Sequence, residues 1–194
     1  MIKNIFLSLL LITSAPLFAS QTTKNSFLPP TKIDKATSTF EWRGEKAGGS
    51  FHEGTIKLLK AESKMVKGKV VSGTFVIDMK SINCTDLAKN PDKQAQLVGH
   101  LKNKDFFDVT NNPTATLKLS KLAKGKAHGT LTIKGKSLPI TIPYTQDRNT
   151  FSGKMTFDRT KYGITYKSKN FFKNLIGDKV INDDVVIGFK VNLI

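Results

Sequence analysis

Alternation of apolar and polar positions dominates the chain beyond residue 34. Val71, Gly73, Phe75, Ile77 and Met79 share one parity, as do Ala115, Leu117 and Leu119. Leu131 and Ile133 repeat the pattern, then Leu138, Ile140, Ile142 and Tyr144, then Phe151, Gly153, Met155 and Phe157. The last run sets Val185, Ile187, Phe189, Val191 and Leu193 against Gly188, Lys190 and Asn192. Earlier, Phe40 with Trp42, and Ile56 with Leu58, do the same in shorter form. Successive strand side chains point to opposite faces, so each run predicts a strand with one apolar and one polar face. Such strands belong to antiparallel sheets that meet water on one side. Turn signals (KGK, GKS, DRN, SGK) separate them, which predicts an up-and-down order joined by hairpins. The expected fold is all-β, with eight antiparallel strands that can close into a barrel or pack as a sandwich, the barrel having the advantage of removing exposed edges. Its lining would include Phe75, Ile77, Leu117, Leu131, Ile142, Phe157 and Phe189, with Trp42 on the first strand.

One stretch breaks the period. In NPDKQAQLVGHL, Asn90 is a candidate N-cap, Pro91 suits the first helical position, and Asp92 suits the first turn. Leu97, Val98 and Leu101 share a helical face, and Lys102 and Lys104 follow where cations favour a helix C-terminus. The spacing predicts a helix over 91–101, ending just before Phe106 and Phe107. A second turn or short helix is expected at NFFKNL, around Phe171 and Phe172. The helix (Leu97, Leu101) with Phe106 and Phe107 would close one barrel end, and Phe171 and Phe172 would form a second closing element. In each pair one ring would face the lumen. The plainer alternative is ordinary packing of these rings beneath a loop.

The N-terminus carries a different signal. Lys3, the apolar run Ile5–Ile12 and the small residue Ala19 follow the order of an export signal. The run is too short to span a bilayer, and no cysteine follows it to take a lipid anchor. Residues 1–19 are read as a signal peptide, 20–33 as a polar leader with Pro29 and Pro30, and 34–194 as one domain, periplasmic or secreted. The formal net charge is +16, yet only Arg43, Arg148 and Arg159 are arginines; the remaining 28 positive residues are lysines scattered along the chain. Sequence-specific nucleic-acid recognition favours the bidentate arginine fork, so this composition argues against nucleic acid and for transient contact with anionic membrane surfaces. The lone Cys84 excludes an intramolecular disulfide and a cysteine-rich metal site.

Candidate chemistry is sparse. His52, His100 and His128 lack metal-helix spacing, and His52 and Glu53 are strand neighbours facing opposite ways. A metal-dependent or hydrolytic enzyme would have to assemble His52, His100 and carboxylates such as Asp105 through folding alone. Asp86 would raise the pKa of Cys84, which reads as an inert thiol. NCT at residues 83–85 matches a short glycosylation pattern that recurs by chance. Arg159 is expected to pair with Asp158 or a loop carbonyl; alternatively Arg159 or Arg43 meets a ligand head group at the barrel mouth. Asp183 and Asp184 read as a solvated edge.

Three segments, HLKNKDFFDVTNNP, GTLTIKG and DRTKYGI, resemble in content and order the signatures of the YceI-like family of exported lipocalin-like barrels. WRGEKAGGSFHEGTI and FFKNLIGDKVINDDVVI resemble the branch with a tryptophan on the first strand, and the resemblance covers roughly residues 34–194. It implies an eight-stranded barrel that encloses a long apolar chain such as a polyisoprenoid, a polyprenyl quinone or a fatty-acid derivative. It implies no catalytic residues and no cofactor beyond such a bound lipid. The expected function is a non-enzymatic carrier or sequestering protein. The competing expectations are the enzyme above and a stress-related interaction module with a fully packed barrel.

Overall fold

The computed structural model describes residues 31–194. Residues 1–19, expected to be a signal peptide, and residues 20–30 of the expected leader lie outside the described residues. Eight strands run in sequence order round a closed antiparallel barrel: β1 (Thr31–Lys46), β2 (Phe51–Val66), β3 (Lys69–Cys84), β4 (Thr114–Ala123), β5 (Lys126–Ile133), β6 (Lys136–Asp147), β7 (Thr150–Asp158) and β8 (Ile181–Leu193), with β8 pairing back onto β1. Closure leaves no strand of the barrel wall without a neighbour on either side.

The strands are longer than their alternating cores. β1 starts at Thr31, so the boundary at 34 is corrected: Ile33, placed in the leader by pattern, is buried and sits opposite Leu193 of β8. Lys67–Gly68, Lys124–Gly125 and Lys134–Gly135 each place two consecutive residues at positive φ, the two-residue turn whose twist matches the strands it joins. The SGK segment is no turn. Ser152, Gly153 and Lys154 lie inside β7, and a Cβ at Gly153 would stand 2.4 Å from the Pro143 carbonyl oxygen and 2.9 Å from the Phe189 ring. Glycine is needed there for close approach across the wall.

The helix α1 (Pro91–Lys102) forms as its caps predict: the Asn90 side chain accepts a 3.1 Å hydrogen bond from the Lys93 N–H. It packs against β3 at the barrel end opposite the three lysine- and arginine-tipped turns after β2, β4 and β6. A 3-10 turn at Arg159–Tyr162 and another at Gly177–Lys179 lie at this helix end too. Two apolar clusters result. Leu101, Phe106, Val109, Tyr162 and Ile164 pack under the helix end together with Met79, Ile82 and Leu131. At the hairpin end Ile33, Phe75, Phe151 and Val191 form a smaller group.

Candidate functional site

The inward faces do not fill the barrel. Between the two clusters runs an apolar cavity of ≈ 240 Å³, which contradicts the expectation of a fully packed barrel. On β3 alone its lining extends from Val70 to Ile82. At about 3.3 Å per residue and a strand tilt of about 40°, that is roughly 30 Å along the barrel axis. The length is comparable to the ~30 Å hydrocarbon core of a bilayer.

Every strand residue expected to line the lumen does so: Trp42, Phe75, Ile77, Leu117, Leu131, Ile142, Phe157 and Phe189. Leu97 and Leu101 of α1 and both Phe106 and Phe107 close the helix end of the same cavity. Five positions of the alternating set do not line the space: Leu58, Val71, Gly153, Leu138 and Ile140. Leu138 and Ile140 of β6 pack against the cluster beneath α1 rather than lining the space. The lining also contains Ile33 and Ile181, which lie outside the alternating runs, and Val70 and Leu122, which are out of phase with them. Register shifts between Leu119 and Lys121 and between Lys64 and Met65 change the parity locally, so Leu122 and Val70 turn inward.

The two aromatic pairs have different fates. Phe106 is buried, its ring edge-on to His100 at 4.9 Å between centroids and 5.5 Å from Tyr166, and its carbonyl accepts a 2.8 Å bond from Lys134 Nζ. Both rings of this pair reach the lumen, not one. Phe171 and Phe172 are 57% and 48% exposed and line no part of the cavity, so they are not a second closing element. No helix forms at NFFKNL; the segment is a run of turns held by backbone bonds from Phe171 and Phe172 to the Ser168 carbonyl.

The polar groups at the helix end are mutually engaged. Arg159, 2% exposed, donates from Nε to the Asn182 carbonyl, from Nη1 to that of Ile164, and from Nη2 to that of Ile181 and to Asp183 Oδ1 at 3.3 Å. It clamps the chain after the 3-10 turn to the start of β8. Burial lowers its pKa, opposed by Asp183 and Asp158. Asp183 is therefore an internal counter-ion and not a solvated edge. Arg43 stacks on the Phe51 ring, 3.5 Å from its centroid, and bonds Glu45 at 2.7 Å.

The imagined assembly of His52, His100 and Asp105 is split. His100 Nε2 lies 3.8 Å from Asp105, whereas His52 Nδ1 lies 2.8 Å from Asp86 Oδ2. Cys84 donates to Asp86 Oδ1 at 3.0 Å, and the Glu53 N–H donates to the same oxygen at 2.9 Å. His52, Cys84 and Asp86 thus bring their donor atoms within 4.8 Å of one another. The carboxylate sits between imidazole and thiol, so the histidine is not placed to take the thiol proton. Burial, then the Asp86 hydrogen bond, pushes the Cys84 thiol up to about 11, the reverse of an activated nucleophile. The bonds from Cys84, Glu53 and His52 hold the Asp86 carboxyl below its usual range despite its burial. The group ties the start of β2 to the end of β3, a contact across 32 or more residues that strand neighbours alone do not reveal.

Comparison with known proteins matches this architecture. The model of the YceI-like domain matches residues 32–193. No curated protein matches the chain. Among solved structures, Burkholderia cenocepacia BcnA is 23% identical with a TM-score of 0.62, the match covering 82% of this chain and 98% of that one. A polyisoprenoid-binding domain from Saccharophagus degradans is 14% identical, TM-score 0.52, covering 83% and 95%. The Campylobacter jejuni YCEI protein is 16% identical, TM-score 0.50, covering 94% and 99%. With the closed barrel, the helix α1 and a family match over nearly the whole described chain, this protein belongs to the YceI-like domain family.

Proposed function

We propose that this protein is an exported, non-enzymatic binding protein that encloses a long apolar lipid chain, of isoprenoid type, along its barrel axis. The observation that carries the reading is the continuous apolar lumen, walled by all eight strands and α1. Each methylene moved from water into it contributes about 0.8 kcal/mol, so a chain of several prenyl units binds without polar contacts. The solved Saccharophagus degradans relative is described as a polyisoprenoid-binding domain, which supports the ligand class. The order Lys3, Ile5–Ile12, Ala19 supports export. The non-enzymatic reading follows from the engagement of Arg159, Cys84 and Asp86 in structural bonds. The test is mass spectrometry of an organic extract of natively purified protein, with thermal shift on adding a prenyl alcohol. A co-purified long-chain lipid and a raised Tm are expected; neither appearing would refute the proposal.

A further inference from the structure

We propose that the loop over residues 168–180, with Phe51 beside it, is the surface by which the protein docks onto an anionic lipid bilayer. The inference rests on the lipid-carrier reading and says where the carrier meets the membrane.

The loop is anchored at both ends but bare at its crest. Ser168 is fully buried and Val180 nearly so, and the Asn170 side chain donates to Asp183 Oδ2 at 2.7 Å. The Ile181 N–H donates to the Lys167 carbonyl and closes the base of the loop, and the Ala47 N–H donates to the Val180 carbonyl and fastens it to the tip of the β1–β2 hairpin. Between these anchors Phe171, Phe172 and Ile176 stand out, the last 78% exposed. Large apolar side chains held outward together by a fixed loop are uncommon on a protein that stays in water. The same loop carries Lys169, Lys173 and Lys179, all exposed, against one acidic residue, Asp178. Aromatic and aliphatic side chains flanked by lysines suit the bilayer interface, where rings enter at headgroup depth and ammonium groups meet anionic lipids.

The loop is also continuous with the cavity. Phe51, exposed and part of the cavity lining, starts β2 at the hairpin tip to which the loop is fastened, and Lys46 lies opposite Ile181 in the wall. Seating the loop on a bilayer therefore brings the rim at Phe51 to the lipid surface. The position fits a carrier that exchanges an apolar chain with a membrane.

Flotation of the purified protein with phosphatidylglycerol vesicles, compared with phosphatidylcholine vesicles, tests this. Binding to the anionic vesicles alone, weakened by added salt, is expected. Phe171→Ser/Phe172→Ser should weaken it at least about tenfold, and Lys169→Glu/Lys173→Glu likewise, each lost lysine contributing roughly fivefold. Lys124→Glu at the opposite end, measured as a control, should have a clearly smaller effect. Both double variants should stay close to the wild-type Tm, since the replaced side chains are exposed and belong to neither apolar cluster. A Phe172→Trp variant should shift its emission to the blue on vesicles. Unchanged flotation of the double variants, or no binding to either vesicle, would overturn the proposal. So would a dimer in sedimentation that the Phe171→Ser/Phe172→Ser variant dissolves, since the patch would then serve a second copy. Uptake of the apolar fluorophore N-phenylnaphthylamine in vesicle-free buffer separates the two readings. Uptake without vesicle binding overturns the docking surface alone, whereas loss of both overturns the carrier reading too.

Discussion

Leu131→Glu tests whether the lumen is dry. Leu131 is 3% exposed, points into the cavity from the middle of the barrel wall, and packs with the cluster beneath α1. Replacing it removes roughly 1.5–3 kcal/mol of apolar burial. The larger effect is electrostatic. A carboxyl in a dry apolar space stays protonated, with a pKa near the ~8–9 seen for fully buried glutamates. The unfolded chain ionises at about 4.3, so folding at pH 7 must take up a proton, at about 1.36 kcal/mol per pH unit, or roughly 4 kcal/mol. The sign follows from the raised folded-state pKa: the electrostatic penalty is absent below about pH 4 and grows as pH rises toward the folded-state value. Between pH 5 and pH 7 the variant should lose about 3 kcal/mol relative to wild type, read as denaturant midpoints by circular dichroism. Lipid uptake should be lost at both. Lys136→Glu, exposed at the start of β6, should stay within about 0.5 kcal/mol of wild type at both pH values. A Leu131→Glu protein whose stability relative to wild type does not change with pH would mean that water fills the lumen, and the apolar-chain argument would fail.

Two further outcomes follow from the helix end. Arg159→Met should lower Tm by about 10 °C, because three carbonyls and Asp183 lose their donor in a buried setting worth roughly 3–5 kcal/mol; Arg159→Lys should not restore it, since an ammonium cannot reproduce the fork. A fully stable Arg159→Met with weakened lipid binding would instead assign Arg159 to the ligand head group. The Cys84 thiol should resist alkylation at pH 8 until the protein is unfolded. Its folded-state pKa of about 11 against an ordinary 9.0 contributes stability present below pH 9 and lost as pH rises toward 11, about 3 kcal/mol in all. Stability curves of wild type and Cys84→Ser, compared between pH 8 and pH 11, read this directly; parallel curves would contradict it.

The barrel was legible because its signal is local. Whether Phe75 or Phe189 faces inward depends only on parity within one strand, and closure follows from eight such strands each needing cover. The capped helix was legible for the same reason: Asn90, Pro91 and Asp92 act within one turn. What failed depended on partners distant in sequence. Phe106–Phe107 and Phe171–Phe172 look alike as strings, yet the first follows α1 and has its carbonyl bound by Lys134, 28 residues on. The second has no such tether and turns outward. Arg159 was correctly read as structural, but its partners at Ile181–Asp183 were hidden, because the intervening loop brings them back. His52, Cys84 and Asp86 meet only because β2 and β3 pair with Gly54 opposite Cys84. Bulges shift parity without a mark in composition, which is why Leu122 was passed over.

The distribution of burial explains how a barrel can be hollow and still stable. The largest fully buried side chains among the described residues are Arg159, Ile164, Cys84 and Ser168, and all lie at the helix end. A barrel whose function required only a packed interior would have its most enclosed side chains at mid-height, where both walls face one another. Here the middle is ringed by Ile77, Leu117, Leu131 and Phe189, which border the open space instead of interlocking across it. Tight packing has moved to the cap formed by α1, Phe106, Tyr162 and the Arg159 clamp, while strand pairing round the full circle holds the wall. Dispersion contacts missing across the lumen are the contacts an apolar guest would make. Ligand binding and completion of the core are then the same event, so a bound chain should raise stability in proportion to the lumen it fills.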